Sequence, residues 1–136
     1  MPLHNRKYPH LLKEDIVTWE RYLALRGSFY NSIDYDVRVG SGQKPASHHS
    51  PNYKKMISDL TKKRIDALGH TQDQIHIIEI CQRASMKTVG QAVAYPHLFK
   101  QTYPTTKQIK MIIVCERIDT DLFFVFHHLN VEVILV

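Results

Sequence analysis

No apolar run in this sequence approaches the ~20 residues needed to span a bilayer, so membrane insertion is not expected. The opening stretch "MPLHNRKYPHLLKED" lacks the apolar core of a signal peptide, which argues against secretion by that route. Only two cysteines are present, Cys81 and Cys115, each inside an apolar, strand-like run. That usage suits reduced, buried thiols rather than a disulfide framework. Nine histidines invite a zinc reading, but neither a Cys-x-x-Cys nor a His-x-x-x-His spacing occurs. His48-His49 and His127-His128 are adjacent pairs, whose side chains point apart. A glycine-rich phosphate loop and a Gly-x-Ser-x-Gly elbow are also missing, as are internal repeats and low-complexity tracts.

What is present is ordinary in bulk. The 136 residues make one domain, with 1–12 expected as an N-terminal arm. Hydrophobic content of 43% and charged content of 23% fit a globular chain with a proper core. A formal charge of +5 permits contact with an acidic partner without demanding it. The basic residues gather in "YKKMISDLTKKR", where Lys54, Lys55, Lys62, Lys63 and Arg64 are the candidates for DNA contact. A solvated face is the plain alternative for that run.

Periodicity orders the rest. "KEDIVTWERYLALRG" spaces Ile16, Trp19, Tyr22 or Leu23 and Arg26 three or four apart, with Glu14 and Asp15 at the start and Gly27 at the end, which predicts a helix. "IDYDVRVG" alternates Ile33, Tyr35, Val37 and Val39 against polar residues, as a half-exposed strand does. "SGQKPASHHSPN" reads as a loop, and "YKKMISDLTKKRIDALG" is helical turn or extended lead-in, becoming strand near Arg64. "GHTQDQ" is a turn and "IHIIEIC" a strong strand. From Ser85 to about Tyr103 the period is helical, with Pro96 predicting a kink or break. "IKMIIVCE" is a buried strand, "DTDLFFVFHHLN" a short helix and "VEVILV" a last strand. A helix between the last two strands implies that they run parallel.

Within "RIDALGHTQDQIHIIEICQRA", Asp66 and Glu79 stand at the two ends of the hairpin. Downstream, "GQAVAY" supplies Gln91 and Tyr95. This arrangement resembles the PD-(D/E)XK nuclease superfamily, whose Gln-x-x-x-Tyr spacing marks the RecB-type branch. The resemblance implies an α/β fold with a restriction-endonuclease-like core, a mixed central sheet flanked by helices in α-β-β-β-α-β-α-β order. It implies Asp66 and Glu79 as ligands of Mg²⁺, the backbone carbonyl of Ile80 as a third ligand, and Gln91 and Tyr95 as site residues. A looser likeness, in "WERYL", "YDVRVG", "RID", "IIE", "RA…GQ…Y" and "VEVILV", is to small open reading frames of bacteriophages and their hosts.

The family places a lysine where Cys81 stands. Residues i and i+2 of a strand share a face, so Glu79, Cys81 and Arg83 should point the same way. A thiol cannot replace an ammonium: beside two carboxylates its ionisation is disfavoured, and it is never cationic. Losing such a stabiliser typically costs about a hundredfold in rate. Lys87, one turn into the next helix, is the candidate for a relocated cation, with Lys62 or Lys63 as alternatives. Bland readings stand beside each assignment. One of Asp66 and Glu79 could cap a turn and the other pair with Arg64 or Arg83, Gln91 could lie on a helix surface, and Tyr95 be core. Glu20 could be an additional acidic ligand from the first helix, or simply exposed.

Two functions follow. One is a catalytically degenerate nuclease fold, acting as a structural or adaptor component of a DNA-handling assembly such as a phage virion near its neck, tail or portal. "DLFFVFHHL", with Phe123, Phe124 and Phe126 on one short helix, then presents an edge to other chains of a homo- or hetero-oligomer. The other is an active Mg²⁺-dependent DNA nuclease using Lys87. Either places the protein in the host cytoplasm or the virion.

Overall fold

The computed structural model describes residues 8–42, 48–61 and 63–136. The chain is an α/β protein with a five-stranded mixed sheet and, among the described residues, four α-helices. In chain order these are α1 (Lys13–Arg26), β1 (Ser32–Val39), α2 (Pro51–Thr61), β2 (Lys63–His70), β3 (Gln74–Ala84), α3 (Met86–Thr102), β4 (Gln108–Ile118), α4 (Phe123–His128) and β5 (Glu132–Leu135). Short 3₁₀ turns follow α1 (Gly27–Phe29) and precede α4 (Thr120–Leu122). One helix, α2, is added to the expected order, between β1 and β2, in the stretch whose pattern was ambiguous.

The strands lie side by side in the order β1-β2-β3-β4-β5. β1 to β3 form an antiparallel meander, whereas β3, β4 and β5 run parallel. The parallel pairs are those joined through α3 and α4, because a helical crossover returns the chain to the same end of the sheet. The hairpin between β2 and β3 is tighter than its composition suggests. β2 runs through His70 and β3 starts at Gln74, leaving three residues for the turn.

Two apolar layers sandwich the sheet. On one face Ile16, Trp19 and Tyr22 of α1, with Tyr8 and Leu11 of the preceding segment, pack on Ala67, Ile78, Ile80, Ile112 and Val114. On the other, Ala92, Tyr95 and Phe99 of α3 and Phe126 of α4 pack on Ile65, Leu68, Ile77, Ile113 and Cys115. β4 therefore buries both its faces, which explains why its sequence is a continuous apolar run rather than an alternation. Residues 1–7 of the expected arm lie outside the described residues. Pro96 does not break α3, which continues to Thr102. Ala92, Tyr95 and Phe99 anchor the turns on either side of it to the sheet.

A buried polar chain ties the α1 face to the β3 end of the sheet. The Tyr22 and Tyr30 hydroxyls are 2.5 Å apart, and Tyr30 lies 2.9 Å from Nδ1 of His76. Nε2 of His76 is 2.8 Å from Oε1 of Gln74, whose amide donates to Gln108. One proton arrangement satisfies every link: Tyr22 donates to Tyr30, Tyr30 to Nδ1, and Nε2–H to Gln74. Burial holds His76 below its ordinary pKa, in keeping with a neutral ring. Gly69 makes room for this chain, since a Cβ there would sit 2.3 Å from the Tyr30 ring.

Candidate active site at the fork of the sheet

The alternation of Ile33, Tyr35, Val37 and Val39 suggests one buried face, and the structure divides it. Ile33 and Tyr35 pack on the α1 layer, whereas Val37 and Val39 pack on the α3 layer. β2 changes face at the same level, with Ala67 towards α1 and Ile65 towards α3. On β1 the change falls at Asp36, whose φ of 53° places it in the left-handed region that Asp tolerates better than most residues. Asp36 and Asp66 stand across from one another, between the ladder pairs Tyr35↔Ala67 and Val37↔Ile65.

The same level is where β2 leaves β3. Their ladder runs from His70↔Ile75 to Ala67↔Ile78 and stops, while β3 stays paired with β4 as far as Ala84↔Ile118. The sheet forks there, and Asp66 and Glu79 stand at the crotch. Oδ2 of Asp66 accepts the backbone N–H of Ile80 at 2.9 Å, and Oε1 of Glu79 accepts the N–H of Asp66 at 3.3 Å. The carboxylates thus take up donors that the ended ladder leaves over, which is a structural task in itself. The two carboxyl groups are also in hydrogen-bonding contact with each other.

Glu79 is only 6% exposed. Burial, followed by the neighbouring Asp66 charge, pushes its pKa up to about 9. Burial likewise raises Asp66. Without a cation between them, the pair holds a proton.

Three candidates from α3 converge on this pair. Lys87 lies within electrostatic reach of Glu79 and favours its charged form. Burial, then the Glu79 charge and to a lesser degree that of Asp66, raise the Tyr95 hydroxyl to about 12. Gln91, one turn before it, hydrogen-bonds the Tyr95 side chain. Ser85 opens the helix with a capping box, its N–H donating to Oγ1 of Thr88 at 3.0 Å. This fixes the turn that carries Lys87.

Other expectations are redirected. Arg64 pairs with Asp36 at 3.7 Å and Arg83 pairs with Asp119, so neither arginine is committed to Glu79. Cys81 packs in the α3 layer, where its thiol contacts Cys115 and Thr88. Contact with Cys115, then burial, raises its pKa and keeps it neutral. Lys55 and Lys63 are exposed and Lys54 is half-buried, in keeping with a solvated basic face, and Lys62 lies outside the described residues.

From the first helix it is the Asp15 charge that reaches Asp66, while the Glu20 charge reaches Tyr8. Asp15 holds Gln82 of β3 at 3.2 Å, and the same amide donates to Thr18 at 3.1 Å. The signal was available: Asp15, Thr18, Trp19 and Tyr22 form one i, i+3, i+4, i+7 stripe, from which Glu20 is displaced. His10 was missed as well. Its Nε2 lies 3.1 Å from the backbone carbonyl of Asp66, and its charge would favour the Asp66 carboxylate.

The donor set suits one kind of metal. Among the described residues no group of three or more His, Cys, Asp and Glu could hold an ion, so a closed zinc-type centre is not provided. Two touching carboxylates match a hard cation that keeps most of its waters, as Mg²⁺ does. Again among the described residues, no helix is long and apolar enough to cross a membrane. No protein-family model, curated protein or solved structure matches the chain.

Proposed function

We propose that the fork is a Mg²⁺-dependent phosphodiester-cleaving site acting on DNA, of the PD-(D/E)XK kind, with Lys87 replacing the missing strand lysine. The observation that carries this reading is convergence. Asp66 and Glu79 come from the two parting strands, and from one face of α3 Lys87 and Tyr95 interact with that carboxyl pair while Gln91 bonds Tyr95. Turn capping or core packing alone would not require a lysine, a glutamine and a tyrosine in that one place.

Asp66 and Glu79 would hold the cation in place of their shared proton. Bound there, Mg²⁺ supplies charge neutralisation of the phosphate and a more acidic water. Lys87, exposed and flexible, reaches the phosphate oxygens as a point charge. Gln91 braces the Tyr95 hydroxyl beside the carboxylates, His10 holds the Asp66 backbone carbonyl, and Asp15 holds Gln82 of β3. Exposed Lys55, Lys63 and Arg64, with half-buried Lys54, on the segment leading into Asp66, provide charge for a nucleic-acid backbone.

A second reading is favoured by two observations. Cys81 turns to another thiol rather than to the carboxylates, and Phe123 and Phe124 are exposed beside the buried Phe126. In that reading the site is silent and the chain is an adaptor in a multi-chain assembly, as in a phage particle. A lysine exchange separates the two. With Mg²⁺ or Mn²⁺, wild type should cut plasmid DNA, Lys87→Met should lose about a hundredfold, and adding Cys81→Lys to that variant should restore cutting. An inert wild type that gains activity from Cys81→Lys establishes the silent site instead. Equal cutting by wild type and Lys87→Met sinks the role given to Lys87.

A further inference from the structure

We propose that Cys81 and Cys115 are an oxidation site, closing to a reversible intrachain disulfide under hydrogen peroxide. The two residues are direct register partners on the parallel strands β3 and β4. Both side chains belong to the α3 layer, and their sulfurs are in hydrogen-bonding contact. Paired strands lie about 4.8 Å apart, inside the ~4.4–6.8 Å between Cα atoms that a disulfide spans. The strand spacing alone therefore does not bar a bridge.

The partners are unequal in access, which gives the reaction an order. Cys81 is partly exposed and Cys115 is fully buried. The reacting form is the Cys81 thiolate, a minor species while the thiol rests against Cys115. Its sulfur attacks one peroxide oxygen: an S–O bond forms, the O–O bond breaks, and the second oxygen leaves as water with the proton the thiol gave up. The Cys115 sulfur then attacks the Cys81 sulfur. An S–S bond forms, the S–O bond breaks, and the hydroxyl leaves as water with the Cys115 proton. The two thiols lose two electrons in all, and one peroxide becomes two waters.

Side chains on directly paired parallel strands point alongside one another rather than at each other, so the bridge carries strain. A strained disulfide is readily reduced, which makes the change reversible. It also draws Cys81 from Thr88, whose hydroxyl closes the first turn of α3 beside Lys87. Oxidation therefore reaches the helix end that serves the fork. The oxidation site itself does not depend on what the fork cleaves.

The test is intact-mass measurement of the reduced full chain after stoichiometric peroxide, followed by alkylation in denaturant. The expected product is lighter by two hydrogens, takes up no alkylating agent and returns to the starting mass with a dithiol reductant. Cys115→Ser should stop at a one-oxygen adduct on Cys81 that a sulfenic-acid probe captures, and Cys81→Ser should leave Cys115 unreacted. Oxygen adducts as the wild-type end product, or disulfides only between chains, would overturn the proposal. So would a Cys115→Ser chain whose Cys81 resists peroxide.

Discussion

Replacing Glu79 by glutamine should stabilise the metal-free protein, although it removes a proposed ligand. Glu79 is buried, and its folded pKa is near 9 against an ordinary value of 4.5. Between those values the native state keeps a proton that the unfolded chain releases, so stability falls as pH rises through that window. One pKa unit corresponds to about 1.4 kcal/mol. At pH 7.5 the side chain would cost about 4 kcal/mol relative to a neutral isostere, with Asp66 shifted in the same direction. An amide keeps both contacts: its carbonyl accepts the Asp66 N–H, and its N–H₂ donates to the Asp66 carboxylate. Urea unfolding in EDTA should show wild type losing stability from pH 5 to pH 8, and Glu79→Gln nearly level and more stable at the upper end. Adding Mg²⁺ should stabilise wild type, by mass action on the native state, and leave the variant unmoved. A variant less stable than wild type at pH 8 in EDTA, or one that Mg²⁺ stabilises equally, would refute the reasoning.

Lys87→Met should leave the melting temperature within about a degree, because exposed side chains contribute little to stability, while removing most Mg²⁺-dependent cleavage. Thermal melting beside a plasmid-nicking assay reads both. Tyr30→Phe should cost about 1–3 kcal/mol in urea unfolding, since it strands Nδ1 of buried His76. Gly69→Ala should cost at least as much, because its Cβ would strike the Tyr30 ring that the hydroxyl chain holds in place. A wild-type-like Gly69→Ala variant would show that the ring can move without loss.

What the sequence made legible was whatever follows from local period and burial. The α1 stripe of Ile16, Trp19 and Tyr22, the doubly buried run of β4 and the parallel pairing of β4 with β5 are of this kind. What it concealed depends on register and backbone conformation. "IDYDVRVG" alternates cleanly, yet its two halves go to opposite layers, parting at the left-handed residue Asp36. Pro96 signals a kink or a break, and the break does not occur: the helix continues to Thr102. Asp66 and Glu79 could be singled out as acids flanking a turn, but their contact requires the ladder to end at Ala67↔Ile78. The pairing of Cys81 with Cys115 is likewise a register fact between strands 34 residues apart in numbering, invisible to spacing alone. His10 had no local pattern to mark it, whereas Asp15 shared the helix stripe and could have been read.

Titration of Mn²⁺ into the metal-free chain, followed by electron paramagnetic resonance of the free ion, tests the fork most directly. The account predicts one ion bound per wild-type chain, competed by Mg²⁺, and none bound once Asp66→Asn and Glu79→Gln are combined. A wild type that binds no Mn²⁺, or a double variant that binds it as well, would contradict the claim that these two carboxylates form a cation site.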